Sequence, residues 1–367
     1  MVADAFNLAF TLPNMFRRLF GEGTLNAAFI PVYSEQLRRN PQDAQKLINN
    51  LFTLLLVGLA IFCGIIILLA PYLIPYFAFG WKEEAAKISL TIRLTQILFP
   101  YLLLIALTLL IGAVLNTHRY FTIPAFSPVL LNVCWLLALL VFGYWLYTEP
   151  VQQIEGVAWG IIGGGVAQLA IHFWAYSRKG LKYSAYLDFY DPHLKEVIYL
   201  VLPGILGMAV TEINILADVI LASFLQEGSI TALRLANRLM LLPLSIFGVS
   251  TATVLLPTLA TQRAQAQNQE AVQLFSQTLN LIWFILIPIS IFFVYLALPV
   301  VKLVYQHGKF NAYLSTPLTA WALMFYSVGL FAYGGVKIVT QFFYSLKDTR
   351  TPVKVAIVAM GVNIVLN

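Results

Sequence analysis

Arg17 and Arg18 stand inside the stretch DAFNLAFTLPNMFRRLFGEGTLNAAFIPVYSE (4–35), which is otherwise apolar enough to cross a bilayer. On an ideal helix Asp4, Asn14, Arg17, Arg18 and Glu22 share an arc of roughly 140° at about 100° per residue, an estimate loosened by the bend expected at Pro13. Lipid cannot solvate an ionised group, so an arginine at membrane depth marks a functional site unless it serves only to pair with a neighbour such as Glu22. Arg234 and Arg238 repeat the theme one helical turn apart on another apolar stretch, and Glu212 and Asp218 lie on a third. Four guanidiniums facing acyl chains would cost roughly 10–14 kcal/mol even on the lenient insertion scale, comparable to the stability of a whole protein. They are expected to line a polar cavity between two halves of the chain, although Arg234 is close enough to its helix start to snorkel to the outer interface instead.

The planar fork of donors on arginine suits phosphate and carboxylate, and its charge persists at any working pH. A cavity richer in arginine than in carboxylate favours an anionic substrate, a phosphate ester above all. Arg93 and Lys337 carry less weight, since each can snorkel or pair with a helix neighbour. Asp218 follows Asn214 by one turn, and Asn363 and Asn367 form another one-turn pair. Such oxygen-rich side chains could hold a coupling Na⁺. Plain interhelical hydrogen bonding is the competing reading. His118, His172, His193 and His307 form no metal-ligand cluster. Cys63 and Cys134 read as small buried hydrophobes, and the glycines of GIIGGGVAQ (160–168) as sites of close helix packing. The sequence contains no nucleophile–base pattern and no nucleotide-binding loop, so a transporter rather than an enzyme is expected, with no cofactor beyond that ion.

The elements that must carry these residues are membrane helices. Hydrophobic residues make up 60% of the 367, charged residues only 10%, and the mean hydropathy is +0.82, which excludes an ordinary soluble domain. An all-α, polytopic membrane protein follows, with ten hydrophobic segments at about 4–34, 46–78, 84–116, 123–147, 152–177, 195–225, 229–261, 270–304, 313–346 and from 352. Alternate connections hold twelve Lys and Arg residues (among them Arg38, Arg39, Arg178, Lys179 and Lys195) against four in the opposite set (Lys82, Lys87, Lys302, Lys309). The positive-inside rule therefore puts the loop after the first segment in the cytoplasm. The net charge of +6 reflects this topology. Nucleic acid is not expected as a partner, and the basic, aromatic stretch 176–197 is expected to meet lipid headgroups.

An internal repeat organises the segments. FGEGTLNAAFIPVYSEQ (20–36) matches FGVSTATVLLPTLATQ (247–262), FGWKEEA matches HGKFNAY, and LNTHRYFTIPAF matches SLKDTRTPVKV. Gly80 to Gly308 and Pro124 to Pro352 are each 228 residues apart, and Pro31 to Pro257 are 226 apart. A shared offset over three weak matches indicates parallel repeats. The expected division is an N-lobe at 1–178, a cytoplasmic linker at 179–194 and a C-lobe at 195–367. Its register implies a six-helix parent unit, hence helices two through eleven of a longer protein.

DAF…LPNMFRRLFGEGTLNAAFIPVYSE, FPYLLLIALTLLIGAVLNTHRYFTIPAFSPVLLN, LANRLMLLPLSIFGVSTATVLLP and YQHGKF together resemble the MurJ (MviN) lipid II flippases of the MATE-like exporter superfamily, over nearly the entire chain. The resemblance implies a two-lobe fold in the bacterial cytoplasmic (inner) membrane. The implied activity is alternating-access flipping of undecaprenyl-diphosphate-linked disaccharide-pentapeptide for peptidoglycan synthesis. By motif, Arg17 with Arg18 and Arg238 match cavity arginines, Asp4, Asn14 and Glu22 match polar positions of the same motif, and Asp218 with Asn363 is similar to a sodium site. Implied partners are lipid II, membrane lipids and the cell-wall synthesis machinery. A related exporter, a flippase for another polyprenyl-linked glycan and an inactive fragment are the competing readings. The arginines oppose an exporter of cationic drugs.

Overall fold

The computed structural model describes residues 1–21, 24–264, 268–308, 310, 312–346, 348 and 350–366, and regular structure among them is helical throughout. The described residues of the segment expected as one helix over 4–34 are helical, as α1 (Val2–Gly21) and α2 (Thr24–Arg39). Arg17 and Arg18 fall toward the C-terminal side of α1. α3 (Pro41–Phe77) starts on a capping Asn40, whose side chain accepts from the Gln42 N–H at 3.0 Å. α4 (Ala85–Leu98) and α5 (Tyr101–Thr117) replace the single helix expected over 84–116. Pro100, which has no N–H to continue the ladder, lies between them.

α6 (Thr122–Leu140) runs into a π-helical turn at Val141–Leu146, and α7 (Pro150–Arg178) returns against it. Gly160 sits on Ala138 and Gly164 on Leu131 and Cys134, the close approach expected of the glycine run, whereas Gly163 meets nothing. α8 (Pro192–Ala222) is capped by Asp191, which accepts from the His193 N–H at 2.8 Å. α9 (Ser229–Pro243) passes through a π-helical turn at Leu244–Val249 into α10 (Ser250–Ala264). α11 (Asn268–Tyr305), α12 (Ser315–Val328), α13 (Leu330–Ser345) and α14 (Arg350–Leu366) complete the chain, with α12 and α13 bent by 44°.

Helix starts recur at the offset of the repeat. Pro41 and Asn268, Ala85 and Ser315, Tyr101 and Leu330, and Thr122 and Arg350 each begin a helix, at separations of 227 to 230 residues. The second copy of the FG motif falls in the π turn before α10. By contacts the chain forms two compact units, Met1–Phe224 and Leu225–Asn367. α8 packs on α1, α2 and α3 within the first unit, so the compact division falls after α8 and not in the 179–194 linker. That linker is itself fastened to α3. Asn50, fully buried, donates from Nδ2 to the Asp188 carbonyl at 2.8 Å and accepts from the Asp188 N–H at 2.9 Å, while Asn49 donates to Ser184 at 2.8 Å.

Among the described residues six helical segments are long and apolar enough to cross a membrane, or seven if α12 and α13 form one bent span. The three other expected segments are helical too, as α1 with α2, α8 and α14. Outward apolar faces such as Ile61, Leu68 and Tyr72 of α3 or Leu136 and Leu140 of α6 are exposed, as lipid-facing helices require.

Candidate functional site

Arg17 and Arg18 are adjacent in the chain and point to different surroundings. Arg17 lines a cavity of about 460 Å³ enclosed by α1, α5, α6 and α7, all in the first unit. Its Nε donates to Asn14 Oδ1 at 2.8 Å, one turn back, which fixes the guanidinium plane. Apolar walls from Phe10, Ile105 and Leu131 alternate with polar groups of Asn14, Asn116, Gln168 and His172. A few polar groups in an apolar cavity of this size is the general form of a ligand site, roughly 300–1,000 Å³.

Arg18 turns to α8 and its Nη2 stands 2.7 Å from Glu212 Oε2. The carboxylate side chain is only 4% exposed. The pairing reading of a motif arginine thus applies to Arg18, with Glu212 as the partner. Glu22, the partner considered from sequence, lies outside the described residues, as do Asn367, Lys309 and Lys347. Asp4 is buried against α4, 3.8 Å from Lys87 Nζ, and does not line the Arg17 cavity. Lys87 was expected in an outer connection. It is instead fully buried, 3.4 Å from Glu84 and over the Trp81 ring at 4.0 Å, because three partners can solvate its ammonium in place of water.

In the second unit Arg238 is exposed on α9 and Arg234 half-buried one turn before it. Arg93 pairs with Glu155 at 3.0 Å, and Lys337 is exposed. Asp218 and Asn214 are half-buried on α8 of the first unit, and Asn363 is half-buried on α14 of the second. No group of three or more His, Cys, Asp or Glu side chains with the geometry to hold a metal ion occurs among the described residues.

Gln168 and His172 are the site residues that sequence reasoning missed. They are one turn apart on the glycine-bearing α7, and that spacing on a membrane helix was the available signal. His118, by contrast, lies in the loop after α5 and bonds Tyr33 at 2.9 Å. Burial, and then the positive charge of Lys179, hold its imidazole below the ordinary value.

Residues 1–367 match the family described as Lipid II flippase MurJ. A probable lipid II flippase MurJ of Rhizobium tropici is 31% identical over 100% of this chain and 68% of its own length. A solved structure of lipid II flippase MurJ in an inward closed conformation superposes with a TM-score of 0.84 at 25% identity, covering 100% of this chain and 74% of that one. An inward-facing multidrug resistance MATE family transporter superposes with a TM-score of 0.72 at 14% identity, covering 98% of this chain and 83% of that one, a likeness of fold.

Proposed function

The chain belongs to the lipid II flippase MurJ family, and from that premise we propose that it moves lipid II from the inner to the outer leaflet of the bacterial cytoplasmic membrane by alternating access. It is a multi-pass helical transporter that serves peptidoglycan synthesis, and no chemistry on the substrate is required of it. The observation that carries the reading is Arg17, a permanent cation at the wall of a cavity among four apolar helices, with its plane set by Asn14. A diphosphate offers oxygens in the spacing a guanidinium fork accepts, and each charge-assisted bond contributes about 1.5–3 kcal/mol. Arg17 is assigned the first diphosphate contact, and Arg238 and Arg234 are proposed as anion-binding residues of the second unit. Arg18 and Asp4 act by fastening α1 to α8 and to α4. The undecaprenyl tail remains in lipid. Na⁺ is proposed as the coupling ion, with Asp218 as the ligand to test.

Growth of a MurJ-depleted bacterium supplied with this gene tests the reading. Arg17→Ala is expected to abolish rescue at unchanged abundance, and Arg17→Lys to restore it in part, because a point charge replaces the fork. Wild-type growth of the alanine variant would overturn the assignment. Flipping in vesicles with and without Na⁺, compared between wild type and Asp218→Asn, tests coupling. Equal rates under all four conditions would remove sodium from the account.

A further inference from the structure

Gln168 is 3% exposed. Its Nε2 donates to the Ser127 carbonyl at 2.9 Å and to Ser127 Oγ at 3.0 Å, which tethers α7 to α6. Its Oε1 is buried, lies on a cavity-lining residue and has no hydrogen-bond partner. A buried amide oxygen left in that state costs roughly 1–3 kcal/mol, so it persists only where something else satisfies it. His172 adds a second acceptor. Its Nδ1 lies 2.8 Å from the Gln168 carbonyl, which can only accept, so Nδ1 carries the proton and Nε2 is left with a lone pair. That Nε2 faces Gly112, another cavity residue. Gln168, His172 and Arg17 thus line one volume of about 460 Å³, and the first two each carry a neutral acceptor without a partner among the described residues. A metal cation could use the acceptors but would be repelled by Arg17. A neutral group rich in O–H and N–H donors, attached to an anion, satisfies both.

From this geometry we infer that Gln168 Oε1 and His172 Nε2 are specificity-determining contacts, reading donor groups of the sugar–peptide headgroup while Arg17 holds the diphosphate. The inference rests on the lipid II reading and deepens it. Gln168 and His172 lie near the Arg178 end of α7, which the charge distribution places on the cytoplasmic side. The headgroup would thus be read on the face from which it loads.

The test uses the purified protein in lipid nanodiscs, with lipid II and undecaprenyl diphosphate as paired probes, the second lacking sugar and peptide. Gln168→Leu should weaken lipid II binding by roughly three- to tenfold, the range of one buried neutral hydrogen bond, and leave undecaprenyl diphosphate unchanged. His172→Phe, which removes the second acceptor, should act in the same direction. It also keeps the test decisive if the leucine variant fails to fold. Ser127→Ala, which leaves Gln168 Oε1 in place, should retain the selectivity. Equal loss of both probes, or of neither, in Gln168→Leu and His172→Phe overturns the inference. Arg17→Ala should weaken both probes. If it weakens neither while Gln168→Leu still loses lipid II alone, the headgroup contact stands and the diphosphate assignment falls.

Discussion

Replacing Arg18 by methionine should destabilise the first unit far more than replacing its partner Glu212 by glutamine. The pair is asymmetric, since the arginine side chain is 26% exposed and the glutamate 4%. Arg18→Met strands a buried carboxylate whose hydrogen-bonding partner among the described residues is Arg18, at a cost of about 3–5 kcal/mol. Glu212→Gln leaves a partly exposed guanidinium that water can reach, and an amide oxygen that still accepts, so about 1 kcal/mol is expected. The double variant Arg18→Met/Glu212→Leu removes both charges and should return to within about 1 kcal/mol of wild type, because an apolar pair of similar size often replaces a buried ion pair without loss. Equilibrium unfolding in mixed micelles measures all three. A methionine variant no less stable than the glutamine variant, or a double variant as unstable as Arg18→Met, would refute the account of α1 docked on α8 through this bond.

Two further perturbations address other parts of the fold. Asn50→Leu removes both bonds between the buried amide and Asp188 and should cost about 2–3 kcal/mol, exposing residues 181–191 to limited proteolysis; cleavage unchanged from wild type would contradict the fastening of the linker to α3. Asp348 accepts from the Arg350 and Thr351 N–H groups at 3.0 Å and from the Thr351 hydroxyl at 2.6 Å, and these bonds, the side-chain one first, hold its carboxyl below the ordinary value. Its stabilisation of the start of α14 is therefore complete above the ordinary carboxylate value and lost as pH falls through the lowered one. Amide exchange at Arg350 and Thr351 should accelerate over that interval in wild type and be pH-independent in Asp348→Asn, after correction for intrinsic exchange.

The membrane helices were legible because hydropathy is averaged over some twenty residues and survives local error. Helix breaks were less so. Pro100 and Gly329 interrupt spans that composition alone reads as continuous, since a single residue hardly changes a long apolar average. The repeat offset was legible from three short matches and reappears in the helix starts. Arg17 was legible because charge in lipid demands a reason. That Arg18 instead pairs with Glu212 could not be read, because the two are separated by 194 residues and sequence does not order distant helices. Lys87 misled for a related reason. Near a helix start it looks like a loop charge, and its burial depends on Asp4 from α1 together with Glu84 and Trp81. Gln168 was overlooked because its spacing from His172 is a weak signal by itself, and its meaning comes from Ser127 on the opposing helix.

The most direct test of the central claim is leaflet transfer itself. Vesicles containing the purified protein and labelled lipid II in one leaflet should deliver the label to the other with wild type and not with Arg17→Ala inserted at equal density. Transfer by the alanine variant at the wild-type rate would contradict a mechanism in which this guanidinium carries the diphosphate across.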